Sequence, residues 1–200
     1  MDKLIRAVLT NPLVMAVKRV IRDLVWTLKG RRLANPPPPH RPGTLMFVCF
    51  GNICRSAFAE YRGNEKLAAL GIEDVVCVSS GIRARDGKPS PEQAVLSARA
   101  CGVDLTPHGA RRIDRGMMVA SDMVFVMEQW QMESLAGDFP DLQAKLFLLP
   151  LLESELGSSV SGYSRYNLAD PYGKSPAEFE ACFQRLDRCL DLLFDRLYGG

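Results

Sequence analysis

The chain has little with which to hold a metal. Among its 200 residues there are two histidines, His40 and His108, and no Cys-x-x-Cys pair, so a structural zinc site is not expected. No run of about 18 uncharged apolar residues occurs, which excludes a membrane-spanning helix. A secretory signal is also missing, because Lys18, Arg19, Arg22 and Asp23 interrupt the only apolar stretch near the N-terminus. There is no internal repeat, and four consecutive prolines are the only low-complexity stretch. Six cysteines, at 49, 54, 77, 101, 182 and 189, make an even number, yet a chain of this length builds a core without disulfide staples. The domain is therefore expected in the reducing cytoplasm. Disorder throughout is excluded by a content of 47% hydrophobic and 24% charged residues.

What is present is unevenly distributed. Residues 1–33 carry eight Lys or Arg against Asp2 and Asp23, a charge of +6. The remaining 167 residues hold 17 basic and 21 acidic groups, a charge of −4. Between 13 and 28 the apolar positions 13, 14, 17, 20, 21, 24, 25 and 28 fall on one arc of roughly 140° at helical spacing. Pro12 suits the first helical position, and residues 3–9 could add a turn or two. Lys18, Arg19, Arg22 and Lys29 lie off the apolar arc, with Trp26 among them. Such a helix docks on its own domain or a second copy, or lies in an anionic membrane surface. A nucleic-acid arm is disfavoured, because no platform of basic and aromatic residues follows. Residues 34–43 contain Pro36 to Pro39 and read as a semi-rigid spacer. The expected domains are thus a helical extension over 1–33, this linker, and a folded domain over 44–200.

From 44 onward, strands alternate with helices. Strands are expected over 44–50, 74–80, 123–127 and 145–149, and helices over 55–70, 91–100 and 176 to about 197. This order implies an α/β domain, with a four-stranded parallel sheet covered by helices on both faces. Cys182 and Cys189, seven apart on one helical face, are expected in the core.

At the end of the first strand stands Cys49-Phe50-Gly51-Asn52-Ile53-Cys54-Arg55-Ser56. A tight loop between a strand and a helix start turns several backbone N–H groups towards one point, which makes an anion site. Gly51 and Asn52 are residue types that tolerate the left-handed conformation such a cradle needs. Arg55 can clamp two phosphate oxygens with its planar fork. The same surroundings favour a thiolate at Cys49, and Ser56 can donate a hydrogen bond to that sulfur.

This stretch resembles the phosphate-binding loop of the low-molecular-weight protein tyrosine phosphatases, and the likeness runs through most of 44–200. Ser79-Ser80-Gly81, Gly102-Val103-Asp104, His108-Gly109-Ala110-Arg111 and residues 122–128 resemble that family's later elements in order and spacing. Asp170-Pro171-Tyr172 resembles its general-acid loop. The resemblance implies a flavodoxin-like strand order and hydrolysis of phosphotyrosine without cofactor or metal. Cys49 would be the nucleophile, Arg55 the phosphate clamp and Asp170 the general acid. Phe50, Gly51, Asn52, Ile53, Cys54 and Ser56 would line the loop. Tyr172 would sit at the entrance. Asn52, Ser80 and His108 would form the hydrogen-bond network that holds the loop, and Cys54 suggests redox protection through a reversible disulfide with Cys49.

The loop departs from the usual pattern at Ala57, and Gly173 follows Tyr172 where eukaryotic members often carry a second tyrosine. Residues 170–180 look more like the bacterial branch associated with tyrosine autokinases of polysaccharide synthesis, which makes such a kinase the implied partner. An arsenate reductase of the same fold would want a cysteine near the third strand, where residues 121–132 have none. An arginine phosphatase tends to have Thr at the place of Ile53. A non-catalytic phosphoprotein-binding module would not need Cys49, Arg55 and Asp170 together.

Overall fold

The computed structural model describes residues 12–30, 33–155 and 162–199. Residues 3–9, where an extra turn is expected, lie outside them. Four strands form the sheet: β1 (Thr44–Cys49), β2 (Val76–Gly81), β3 (Met123–Val126) and β4 (Leu146–Leu148). Their spatial order is β2-β1-β3-β4 and every pairing is parallel, in the flavodoxin-like order. β1 and β3, the central strands, are apolar on both faces, as burial on both sides requires. An asparagine blocks each edge of the sheet. Asn64 exchanges two hydrogen bonds with the backbone of Cys77 on β2, both 2.9 Å. Asn35 does the same with Leu148 on β4, at 2.7 and 3.2 Å. Side chains thus occupy backbone groups that would otherwise invite another strand. The proline-rich stretch, read from sequence as a spacer, is pinned to β4 at its start.

Alternate residues along β1 feed two cores. Leu45 and Phe47 join the larger one, under α2 (Arg55–Ala69), α3 (Glu92–Ala100) and α8 (Pro176–Tyr198). Met46 and Val48 join the smaller one, under α4 (Arg115–Ala120), α5 (Gln129–Asp138) and α7 (Tyr163–Tyr166). A short α6 (Leu151–Glu155) follows β4. The helix α8 begins with Ser175 and Glu178 in a capping box and Pro176 in its first turn, so its start is written in the sequence. Inside α2, Gly63 gives up about 1 kcal/mol of helix propensity relative to alanine. A Cβ there would stand 2.6 Å from Cys77 Sγ, so the glycine lets α2 press onto β2.

The N-terminal α1 (Pro12–Lys29) docks on the domain by its polar side. Trp26 stacks on Tyr166 with centroids 5.8 Å apart and meets Tyr163 edge-on at 5.5 Å. The Arg22 guanidinium lies 4.4 Å from the centre of the Tyr163 ring, and Asp23 Oδ1 accepts the Tyr163 N–H at 3.2 Å. Trp26 stands among charged positions because that side faces the protein.

The larger core is centred on Phe58 and Phe183, which stack in parallel with centroids 4.3 Å apart, both fully buried. Phe183→Ala is expected to destabilise the domain by about 3–5 kcal/mol. Urea unfolding followed by circular dichroism measures it, and a midpoint equal to wild type would contradict this packing.

Candidate active site

Parallel strands deliver their C-terminal ends to one edge of the sheet, and the crevice of such folds opens there. Cys49 ends β1 at that edge, and residues 50–54 turn from it into α2. Cys49 Sγ shares a hydrogen bond with Ser56 Oγ at 3.1 Å and receives the Asn52 N–H at 3.3 Å. Ser56 is therefore placed as the sequence suggests.

Asn52 holds the loop in shape. It is fully buried and has φ 53°, the left-handed region that asparagine tolerates. Its Nδ2 donates to Ser56 Oγ at 2.9 Å and to Ser79 Oγ at 2.7 Å, and its Oδ1 accepts the Arg111 N–H at 2.7 Å. His108 Nε2 lies 2.7 Å from the Asn52 carbonyl, which can only accept, so this nitrogen carries the proton. Two expectations need correction. Gly51 does not have positive φ, so Asn52 alone makes the left-handed turn. The side chain that reaches Asn52 from β2 belongs to Ser79. Ser80, one residue on, points to the other face, where its hydroxyl faces Met46 Sδ, and only its carbonyl accepts from Ser56. Alternation along a strand decides between neighbouring serines.

Arg55 is 1% exposed and is held by groups from two other segments. Its Nη1 donates to Glu128 Oε1 at 2.7 Å and to the Leu168 carbonyl at 2.6 Å, while Nη2 pairs with Asp170 Oδ2 at 2.7 Å. Burial works against its charge, but Cys49, Asp170 and Glu128 outweigh it and push the Arg55 pKa up. Its Nε is buried without a hydrogen-bond partner among the described residues. An orphaned donor on a fixed cation beside Cys49 suits an anionic oxygen.

Cys49, Phe50, Gly51, Ile53, Cys54, Asp170 and Tyr172 line a cleft of about 430 Å³. Phe50 and Tyr172 are half exposed at its walls, and Trp130 leans on Phe50 with centroids 6.1 Å apart. Asp170 Oδ1 accepts the Tyr172 N–H at 3.2 Å, which ties acid and aromatic together. Burial pushes the Cys54 thiol up, with Cys49 and Asp170 adding to the effect.

Several residues here were not singled out from sequence. Arg83, Arg85 and Lys88 are exposed on the cleft wall. Glu128, two residues past the wholly apolar β3, also receives the Tyr163 hydroxyl at 3.1 Å. Burial, then Glu128 itself, pushes the Tyr163 phenol up to about 12, so it stays protonated and donates. A lone acid just past an apolar strand beside the cysteine loop was the available signal for Glu128.

A parallel sheet with an anion cradle and a cysteine at its carboxyl edge defines a phosphate-handling α/β enzyme. The chain belongs to the low molecular weight phosphotyrosine protein phosphatase family, whose profile matches residues 44–198, and is a protein-tyrosine phosphatase. It is 27% identical over 154 residues to the probable low molecular weight protein-tyrosine-phosphatase EpsP of Ralstonia nicotianae, covering 77% of this chain and 95% of that one. To the phosphatase Wzb of Escherichia coli K12 it is 30% identical over 144 residues, covering 72% and 88%. The crystal structure of the tyrosine phosphatase AmsI of Erwinia amylovora superposes with a TM-score of 0.67 at 28% identity, covering 79% and 95%.

Gly81, at the end of β2, permits the loop's approach. A Cβ there would stand 2.7 Å from the Asn52 nitrogen and 2.9 Å from Gly51 C and Phe50 O, all backbone. Gly81→Ala is expected to lower kcat/KM by about a hundredfold, since misplacement of about 1 Å costs that much. Steady-state kinetics beside a circular dichroism spectrum checks it; a folded variant with wild-type kinetics would remove the role given to Gly81.

Proposed function

We propose that the chain hydrolyses phosphotyrosine on proteins through a phosphocysteine intermediate formed at Cys49. The observation that carries this reading is that Cys49 and Asp170 line one cleft, while Arg55, bonded to Asp170 through Nη2, keeps a buried Nε without a partner among the described residues. In the first step Cys49 Sγ attacks phosphorus in line and the bond from phosphorus to the phenolic oxygen breaks. Arg55 and the loop N–H groups stabilise charge on the equatorial oxygens. Asp170 gives its proton to the departing phenolate. In the second step Asp170 takes a proton from water, which attacks phosphorus; the P–S bond breaks and the electron pair returns to sulfur. Ser56, hydrogen-bonded to that sulfur, steadies it as it leaves.

Asp170 shares Nη2 of Arg55, so a phosphoryl group that draws on this nitrogen competes with the carboxylate and frees it for proton transfer. Phe50 and Tyr172 offer aromatic walls for a flat phenyl ring. Arg83, Arg85 and Lys88 make the mouth basic although the domain as a whole is acidic, which favours acidic residues around the phosphotyrosine. The resemblance of residues 170–180 to the bacterial branch favours a tyrosine autokinase as the protein substrate, in the cytoplasm. Residues 1–33 would hold the domain near it through a membrane surface or a protein.

Turnover of a phosphotyrosyl peptide without added metal is expected, abolished by Cys49→Ser and reduced about 10²–10⁴-fold by Asp170→Ala. Faster release of phosphate from a phosphoarginyl peptide would transfer the activity to that substrate. Arg83→Glu with Arg85→Glu is expected to raise KM for a peptide with acidic flanks, leave kcat near wild type and flatten the dependence on salt. An unchanged KM would take the rim out of substrate recognition.

A further inference from the structure

The apolar arc of α1 is turned away from the domain. Trp26, Asp23 and Arg22 make the contacts with Tyr163 and Tyr166. The opposite side carries Val17, Val20, Ile21, Leu24, Val25 and Leu28, each between 50% and 66% exposed. The alternation of strand and helix is complete without that side, so the fold does not account for six large apolar residues in one stripe. Isolated exposed apolar residues need no explanation, but a contiguous stripe of them marks a contact surface.

Charge decides what the contact is. Lys18 is exposed beside the stripe, and Arg19 and Arg22 are exposed further round, towards the docked side, within a stretch of net +6. Asp23, the one acid on α1, is occupied by Tyr163 and by Arg19 and Arg22. Each copy of this helix carries +3, from Lys18, Arg19, Arg22 and Lys29 against Asp23, which opposes pairing through the stripe. A surface that accepts apolar side chains and also carries negative charge satisfies both features, and a bilayer with anionic headgroups is such a surface. No helix among the described residues is long and apolar enough to cross a membrane, so the contact would lie in its plane.

We propose that α1 binds the surface of an anionic bilayer through Val17, Val20, Ile21, Leu24, Val25 and Leu28 while Trp26 keeps it fastened to the catalytic domain. This deepens the attachment role given above to residues 1–33 and is independent of the reaction assigned to Cys49. The stripe enters the acyl boundary, and Lys18 beside it remains at headgroup level. Because the docked side and the membrane side are opposite, the domain sits on the aqueous side of the helix.

The test uses the full chain with vesicles of phosphatidylcholine alone or with about one-third phosphatidylglycerol, followed by co-sedimentation at about 0.1 M and about 0.5 M salt. Pelleting with the anionic vesicles is expected to exceed that with neutral ones by about tenfold or more, to fall at the higher salt, and to be lost in Ile21→Glu with Leu24→Glu. Hydrolysis of a soluble phosphotyrosyl peptide by that variant, at the wild-type rate, shows that it is folded; wild-type inactivity there would sink the catalytic reading and leave the pelleting result standing. Equal pelleting on neutral vesicles, or none on either, overturns the proposal. So does a concentration-dependent dimer, seen by light scattering, that the double substitution converts to monomer, since a second copy would then own the stripe.

Discussion

A guanidinium buried beside a sulfur nucleophile candidate is the constraint around which the functional edge is arranged. Leaving an arginine unpaired in the interior costs several kcal/mol, so the fold must bring it counter-charges or acceptors. Here they arrive from two places: Glu128 at the start of α5, just past β3, and Leu168 and Asp170 in the segment that follows α7. That segment forms no strand, and its path over the crevice is set by what Arg55 demands of it. The capping box at the start of α5 serves the same end. Glu128 is its N-cap, so one side chain both starts a helix and meets the cation.

The same stretch of chain is fixed from its other side. Tyr163 donates to Glu128, lies under Arg22, meets Trp26 edge-on and is bonded through its N–H to Asp23. Only four residues lie between it and Leu168. The amphipathic extension and the buried arginine therefore act on opposite ends of one short segment. Tyr166, stacked on Trp26, belongs to the smaller core, which ties the extension to the sheet as well. A helix that touches the protein through these groups is placed by aromatic and polar contacts, and its aliphatic stripe has no part in the docking.

The sequence carried the strands and the long helices because each has a strong local signal. β1 is a run of buried apolar residues, α8 opens on Ser175, Pro176 and Glu178, and α2 follows the cysteine loop with good helical spacing. The short helices α4, α5, α6 and α7 did not show. α4, α6 and α7 run four to six residues, too few turns for a periodic stripe to stand out, and α5 carries its apolar residues at 130, 132, 135 and 136, without a sustained helical stripe. At the site, the loop residues were legible because strand, turn and helix crowd them into eight consecutive positions. Glu128, Ser79 and the basic wall of Arg83, Arg85 and Lys88 were not, since their part depends on which face of a strand or loop each one takes. Ser79 and Ser80 illustrate the limit. Both were visible, and only the pleat, set by pairing with β1, distinguishes the one that reaches Asn52 from the one that reaches Met46.

Net charge misleads both at the cleft and along α1. The acidic total of residues 34–200 says nothing of a cleft whose wall gathers three cations, because field strength at a site follows local arrangement and solvent exclusion. Nor does amphipathicity say which side of a helix meets its own protein. In α8 the apolar side is buried, with Phe179, Phe183, Leu186, Leu190 and Leu193 in the core, and the usual inference holds. In α1 it is inverted. An aliphatic stripe of comparable length faces solvent, while a tryptophan set among charges carries the contact. Hydrophobic burial is non-directional, and any apolar surface competes for such a stripe. The domain closes both of its cores with other residues, so this stripe stays exposed.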